Sequence, residues 1–181
     1  MNLEKIKSEV VGCTKCGLCK TRKNAVPGKG SPKSDIVFVG EAPGGTEDER
    51  GEPFVGSAGK RLTEALEKNG LSRDSVYITN VVKCRPPGNR VPTEEERAMC
   101  MQYLEAELDA IGPKVVCVLG NTASSSVLGQ ADITKNRGKM VEKNGRKYFL
   151  TFHPAAVIYN QKLAAVFEGD IATLAKIVRG I

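Results

Sequence analysis

The sequence predicts a three-layer α/β/α fold with a central, mostly parallel four-stranded sheet. Four runs rich in β-branched and aromatic residues lie at 36–39, 76–79, 115–119 and 148–152. The first three are continuously apolar, which is typical of strands that are covered on both faces. Helical patterns separate the runs, and strands that alternate with helices favour a parallel sheet between two helical layers.

The first two helical patterns have clear boundaries. Apolar residues at helical spacing occupy 62–66, and this pattern ends at Asn69-Gly70, a common stop signal. Thr93 and Glu96 then have the spacing of a capping box, which indicates where the second helix begins. Its apolar stripe continues as far as Gly112-Pro113.

The C-terminal half predicts two more helices and a hairpin. Asn121 is suited to cap a short helix that ends at Gly129, and an amphipathic helix covers 163–178. The Asn-Gly pair at 144–145 is a two-residue turn signal, so we expect the fourth strand to pair with a short antiparallel neighbour. The Gly-, Lys- and Pro-rich stretch 24–33 is interpreted as a loop.

Length and composition restrict the class of protein. The chain has 181 residues, which fits one domain over 1–181, and with 40% hydrophobic and 27% charged residues it is not a disordered chain. No apolar run approaches the length of a membrane span, and we expect no secretory signal and therefore an intracellular protein. Since 27 Lys and Arg stand against 21 Asp and Glu, the net charge of +6 favours an anionic partner.

Polar or glycine-rich residues follow the predicted strands. In chain order they are Gly40-Glu41-Ala42, Asn80, Gly120-Asn121 and His153-Pro154. Ligands of open parallel sheets bind beyond the carboxyl ends of the strands, so the sequence predicts a functional site there. The only histidine of the chain belongs to this set, which favours a functional site over ordinary polar turns.

Five of the six cysteines are arranged like metal ligands. Cys13, Cys16 and Cys19 have the spacing C-x2-C-x2-C, and Cys84 and Cys100 follow far downstream. Clustered thiols in a reducing compartment more often bind metal than form disulfides. We favour a 4Fe–4S cluster held by four of the five, with structural zinc as the alternative, and spacing does not decide which cysteine is left out. The sixth cysteine lies in the third strand and is expected to be a buried free thiol.

Several short motifs follow one another along the chain. They are Cys13-x-x-Cys16, Val26-Pro27-Gly28-Lys29-Gly30, Gly40-Glu41-Ala42-Pro43-Gly44, Gly51-x-Pro53-Phe54-Val55-Gly56, Thr79-Asn80-x-x-Lys83-Cys84-Arg85-Pro86-Pro87-Gly88-Asn89-Arg90 and His153-Pro154-Ala155-Ala156. Together they resemble the family 4 uracil-DNA glycosylases, the iron–sulfur type, over nearly the whole chain. The resemblance implies that Cys13, Cys16, Cys84 and Cys100 hold a structural 4Fe–4S cluster, with Cys19 as a spare thiol.

The resemblance also implies a pocket for a uracil base that is flipped out of DNA. Phe54 would stack on the pyrimidine ring, and Asn80 would bind the O4 and N3–H edge through its amide. Backbone groups of Glu41 and Ala42, which follow Gly40, would complete the pocket. The ordinary structural alternatives are a core phenylalanine and an asparagine that caps a turn.

Catalysis is expected to depend on His153 as the hydrogen-bond donor to uracil O2, where negative charge develops as the bond breaks. The water-activating group is left open, because Ala42 stands where related glycosylase families have Asp. The available carboxylates are Glu41, Glu47 and Asp48, of which Glu41 and Glu47 are the preferred candidates.

A loop after His153 would enter the DNA minor groove, as apolar wedges do in other DNA-bending proteins. Val157, Ile158 and Tyr159 are its apolar candidates, and the alternative is that they belong to the core face of the last helix.

These inferences predict a monofunctional uracil-DNA glycosylase of base excision repair that leaves an abasic site. Its partner is uracil-containing DNA, single- or double-stranded, with a sliding clamp as a second candidate partner and a monomer as the expected state. The alternative is a non-catalytic iron–sulfur module that binds DNA or carries electrons. A nucleotide-binding enzyme is poorly supported, since 40–45 matches neither G-x-G-x-x-G nor a P-loop.

Overall fold

The computed structural model of the chain describes residues 2–130 and 132–181. Its sheet has six strands in the order β1-β3-β2-β4-β6-β5. The strands are β1 (Lys29–Gly30), β2 (Ile36–Gly40), β3 (Tyr77–Asn80), β4 (Val115–Leu119), β5 (Met140–Lys143) and β6 (Arg146–Thr151). The four central strands are parallel, and the two edge strands are antiparallel to their neighbours.

The α/β class is confirmed, but the predicted count of four strands was wrong because of the two edges. β5 is the short antiparallel neighbour that the Asn-Gly turn predicted. β1 lies inside the stretch that was interpreted as a loop, and its two exposed residues are too few to form a hydrophobic pattern.

Eight α-helices surround the sheet among the described residues. They are α1 (Leu3–Val11), α2 (Gly45–Arg50), α3 (Ser57–Lys68), α4 (Glu94–Ile111), α5 (Asn121–Leu128), α6 (Ile133–Asn136), α7 (Pro154–Val157) and α8 (Gln161–Arg179). The capping box at the start of α4 is present, with Thr93 Oγ1 accepting from the Glu96 amide and Glu96 accepting in return, and Gly112 at φ 60° ends the helix.

Four of these helices, α1, α2, α6 and α7, have no clear signal in the sequence. In α1 only Ile6 and Val10 are buried, which is too weak a pattern for a periodicity argument. The other three have four to six residues each. Among the described residues, no helix combines the length and the hydrophobicity needed to cross a bilayer.

Two apolar clusters cover the two faces of the sheet. Ile36 and Phe38 of β2 belong to one cluster, together with side chains of α3 and α8. Val37 and Val39 belong to the other, together with side chains of α1 and α4. Successive residues of a strand point to opposite faces, so a strand between two helical layers must be apolar throughout. The continuous runs in the sequence have this origin.

Candidate active site

A cavity of about 390 Å³ opens at the carboxyl ends of the central strands. Six of the predicted site residues line it, namely Glu41, Ala42, Glu47, Phe54, Asn80 and His153, together with Pro43, Gly44, Ala58, Pro86, Asn89, Arg90, Ala155 and Ala156. Parallel strands deliver their ends to one edge of the sheet, so residues far apart in the chain meet there. The cavity therefore lies where the strand ends predicted a site.

The ring of Phe54 forms a wall of this cavity. Its backbone has a φ of 51°, an uncommon conformation for a residue with a side chain. Arg73 holds the turn by donating hydrogen bonds to the carbonyl oxygens of Pro53 and Phe54, each at 2.9 Å. The Phe54 and His153 ring centroids are 5.6 Å apart with an interplanar angle of 33°. The flat apolar ring of Phe54 thus lies next to the imidazole of His153.

Gly40 makes room for the two side chains that flank it. It pairs with Asn80 across β2 and β3. A Cβ atom at Gly40 would lie 2.5 Å from Asn80 Oδ1 and 2.5 Å from Phe54 Cζ, well inside van der Waals contact. Gly40 does not itself line the cavity, and its missing side chain is what lets the amide and the aromatic ring approach each other.

The amide of Asn80 carries an unsatisfied acceptor. Asn80 is 2% exposed, and its Oδ1 has no hydrogen-bond partner among the described residues. A buried acceptor without a partner costs about 1–3 kcal/mol. Such an atom at the wall of a cavity is available to a hydrogen-bond donor on a ligand.

His153 follows β6 and caps α7. The Ala155 amide donates to His153 Nδ1 at 3.1 Å, so Nδ1 is an acceptor and the proton of the neutral ring lies on Nε2. Burial lowers the pKa of His153 from its ordinary value of 6.5 to about 4. At neutral pH the side chain is therefore a neutral donor through Nε2–H.

We expect the imidazole of His153 to take up its proton only near pH 4. Because the chain has a single histidine, the ring C–H signals in a proton NMR titration belong to His153. Unfolding the protein in urea is the control and should return the midpoint to about 6.5. A folded-state midpoint at the ordinary value would contradict the desolvated, neutral imidazole.

The three candidate carboxylates are not equivalent. Glu41 and Glu47 line the cavity. Asp48 is buried, and its Oδ1 accepts from the backbone amides of Lys23 at 2.9 Å and Asn24 at 3.2 Å. Asp48 therefore braces the segment before β1 and, unlike Glu41 and Glu47, does not line the cavity.

The loop between β3 and α4 contributes lining residues that were not predicted from the sequence. Pro86, Asn89 and Arg90 are the residues concerned. Asn89 has a φ of 56°, and its Oδ1 accepts from Arg85 Nε at 2.7 Å. A Pro-Pro-Gly-Asn run is typical of a turn, and in the folded chain this turn closes one side of the cavity.

The three candidate wedge residues after His153 differ in exposure. Val157 is buried in α7, and Ile158 is half-buried. Tyr159 is 96% exposed. Val157 is therefore a core residue, as the structural alternative had it, and Tyr159 is the candidate that is free to enter a groove.

The five clustered cysteines line a second cavity between α1, the segment before β1 and α4. Cys84 and Cys100 are buried, and burial raises the pKa of Cys100 to about 11. Arg22 donates to Cys84 Sγ at 3.1 Å, and the Lys83 amide donates to Cys100 Sγ at 3.3 Å. These donors are suited to thiolate or sulfide acceptors, and burial disfavours a thiolate that has no positive centre beside it.

The cysteine cavity is lined by thiols of the kind that bind zinc or an iron–sulfur cluster. In the described part of the chain, no group of three His, Cys, Asp or Glu side chains is arranged to hold one metal ion.

Comparison with known proteins gives the family. A family model described as the uracil DNA glycosylase superfamily matches residues 27–175, which defines the class. A type-4 uracil-DNA glycosylase of Sulfurisphaera tokodaii is 50% identical over 93% of this chain and 81% of the relative. Another, of Archaeoglobus fulgidus, is 47% identical over 97% of this chain and 93% of the relative. The chain belongs to the type-4 family of uracil-DNA glycosylases.

Proposed function

We propose that this protein removes uracil from DNA by hydrolysing its N-glycosidic bond and leaves an abasic site. The observation that carries the proposal is the buried, unpartnered Oδ1 of Asn80 at a cavity wall shared with Phe54 and His153. A planar base with a ring N–H group satisfies that acceptor. The base must leave the duplex to reach it.

Recognition of uracil follows from the chemistry of the amide. Asn80 Oδ1 accepts from N3–H of uracil while Nδ2 donates to O4, and Phe54 stacks on the ring. Cytosine has an amino group at C4 and no hydrogen on N3, so both contacts become mismatched. A site built around such hydrogen bonds rejects the wrong base strongly, because its own polar groups are then left unpaired.

Bond cleavage places negative charge on the uracil ring and positive charge on the sugar. His153 Nε2–H donates to O2, and this contact strengthens as the charge develops. A neutral imidazole is suitable, since its desolvated environment disfavours the cation. We assign the stabilisation of the sugar cation and the orientation of the attacking water to Glu41 and Glu47, which line the cavity.

The test is release of free uracil from a uracil-containing oligonucleotide. The cluster-replete protein should release uracil and leave the strand intact until alkali cleaves the abasic site. Matched oligonucleotides with cytosine or thymine at the same position should release no base. Absence of uracil release, with DNA binding retained, would instead support the non-catalytic iron–sulfur module.

We further propose that Cys13, Cys16, Cys84 and Cys100 hold a 4Fe–4S cluster. When bound, the cluster supplies a covalent anchor for the N-terminal segment and for the loop between β3 and α4. These residues tie that loop, which carries Pro86 and Asn89 of the cavity wall, to the sheet. The buried thiol chemistry and the donors from Arg22 and the Lys83 amide support this assignment.

Replacement of Cys100 by alanine should abolish cluster binding, whereas replacement of Cys19 should not. Both side chains line the same cavity, so Cys19→Ala is a matched control for the loss of a thiol. Iron content and the visible absorption spectrum of the purified variants report the outcome. Loss of iron from Cys19→Ala with retention in Cys100→Ala would reverse the ligand assignment.

Tyr159 is expected to matter for double-stranded DNA and not for single strands. A wedge fills the gap that a flipped base leaves in the stack, and single strands have no such gap to fill. Tyr159→Ala should lower uracil release from a duplex by about tenfold while leaving release from a single strand within about twofold. Equal losses on both substrates would contradict the wedge role. Lys162→Ala, an exposed residue of α8, is the control.

Uracil-containing DNA is the partner that this function requires. A single domain over 1–181, a monomeric state, an intracellular compartment and a sliding clamp as second partner stay predictions of the sequence.

A further inference from the structure

A buried ion pair lies directly beneath the end of β3. Lys83 Nζ and Glu107 Oε2 are 2.7 Å apart, and both side chains are 1% exposed. Lys83 follows Asn80 by three residues, and Glu107 lies on α4, about two helical turns beyond the ligand candidate Cys100. The pair therefore sits between the uracil cavity and the cysteine cavity without lining the former.

Every polar group of this pair has a partner. The three donors of Lys83 Nζ reach Thr79 Oγ1 at 2.5 Å, Asn80 O at 2.7 Å and Glu107 Oε2 at 2.7 Å. Glu107 Oε2 also accepts from Thr79 Oγ1 at 2.8 Å, and its Oε1 accepts from the Gly28 amide at 2.9 Å and the Tyr77 hydroxyl at 3.2 Å. Because all of these donors and acceptors are paired, the side chains of Lys83 and Glu107 are each held in one conformation.

Stability alone does not explain a buried ion pair. Removing two charges from water is unfavourable for each ion, and well-packed apolar residues are often equally or more stabilising. A fully paired network does, however, impose a unique arrangement on the groups that it touches. One of these groups is the main-chain carbonyl of Asn80.

The orientation of the Asn80 side chain is set by the position of its own backbone. Its Oδ1 has no hydrogen-bond partner among the described residues, so no bond to that atom orients the amide. On one side, the chain is held by β2, where the Val81 amide donates to Gly40 O at 2.9 Å. The Lys83 ammonium is the side-chain group that holds the Asn80 carbonyl on the other side.

We propose that Lys83, neutralised by Glu107, is a positioning residue that sets the angle at which Asn80 presents its amide to uracil. This inference rests on the proposed function, because it acts only through the Asn80 side chain. Uracil discrimination then requires a lysine that never touches the base. Loss of its ammonium tilts the amide away from the N3–H and O4 edge.

A double-mutant cycle with Asn80 tests the proposal. The variant Lys83→Met/Glu107→Gln removes both charges together and leaves no unpaired ion. We expect it to lower the single-turnover rate of uracil release by about 100-fold and to weaken inhibition by free uracil, because a small misplacement of a binding group has effects of this size. In an Asn80→Ala background the same change should lower the single-turnover rate by less than about twofold, because the side chain through which it acts is gone.

Two measurements separate positioning from a general loss of structure. Cluster absorbance and melting temperature are recorded for every variant, because Lys83 adjoins Cys84 in sequence. Leu174→Ala, in the apolar cluster on the other face of the sheet, is the destabilised control that should leave uracil inhibition unchanged. If the double variant does not fold, Thr79→Val removes one partner of both Lys83 and Glu107 and should give a smaller loss with the same dependence on Asn80.

If the double substitution lowered the rate of uracil release by the same factor in the wild-type and Asn80→Ala backgrounds, the positioning role would be overturned and the proposed function would stand. Absence of uracil release from the wild-type protein would reject the proposed function itself, and the inference with it.

Discussion

Replacing His153 by alanine is expected to lower the rate of uracil release by about 100- to 1,000-fold, the usual effect of removing one donor from a site of developing negative charge. The Nε2–H group is the donor, because Nδ1 already accepts from the Ala155 amide. The loss should appear in the single-turnover rate at saturating enzyme and leave DNA affinity nearly unchanged. The donor matters most in the transition state, whereas ground-state binding depends on Asn80 and Phe54.

The pH dependence distinguishes this role from that of a general acid. Because the pKa of His153 is lowered to about 4, the ring stays neutral over the ordinary assay range. Wild-type release should therefore show no step near pH 6.5 that the His153→Ala variant lacks. His153→Gln, which keeps an N–H donor, should recover part of the lost rate. A full rate in His153→Ala at pH 7 would remove the imidazole from the mechanism.

The interior of the fold could be predicted because its physical cause is local in sequence. Continuous apolar runs mark strands that are buried on both faces, and Thr93 with Glu96 marks the beginning of α4. The edges could not be predicted in the same way. β1 has two exposed residues, and α1 buries only two side chains, so neither leaves a periodic signal.

The candidate site was predictable where it coincides with strand ends. Gly40, Asn80 and His153 each stand at the end of a parallel strand or just after it, and topology brings such residues together. Phe54 is different, since it lies on a turn with positive φ, and only the resemblance to a family pointed to it.

Polar contacts between residues far apart in the chain could not be predicted from the sequence. Glu107 lies 24 residues from Lys83 and 79 from Gly28. Its spacing from Leu104 places it on the buried face of α4, but no spacing rule identifies the partners that it meets there. Asp48 is similar, because its use as a brace for Lys23 and Asn24 depends on a contact that no spacing rule describes. In both cases the fold, and not the local pattern, decides which carboxylate is available for chemistry.

Replacing Gly40 by alanine is expected to abolish most of the activity while the protein stays folded. The added methyl group would overlap Asn80 Oδ1 and Phe54 Cζ, each 2.5 Å away. Overpacking of this kind costs about 1–3 kcal/mol of folding free energy, which a domain of this size usually tolerates. The displaced groups are, however, the amide and the ring that hold uracil, so we expect release to fall by about 100-fold.

Thermal melting and single-turnover uracil release together check this prediction. Gly169→Ala is the matched control, because Gly169 lies in α8 with no atom within 4 Å of an added Cβ. That change should raise stability by about 0.5–1 kcal/mol, as expected for alanine in a helix, and leave release unchanged. If Gly40→Ala retained the wild-type rate, Asn80 and Phe54 would have room to move apart without loss of function. The recognition of uracil by a closely apposed amide and aromatic ring would then be wrong.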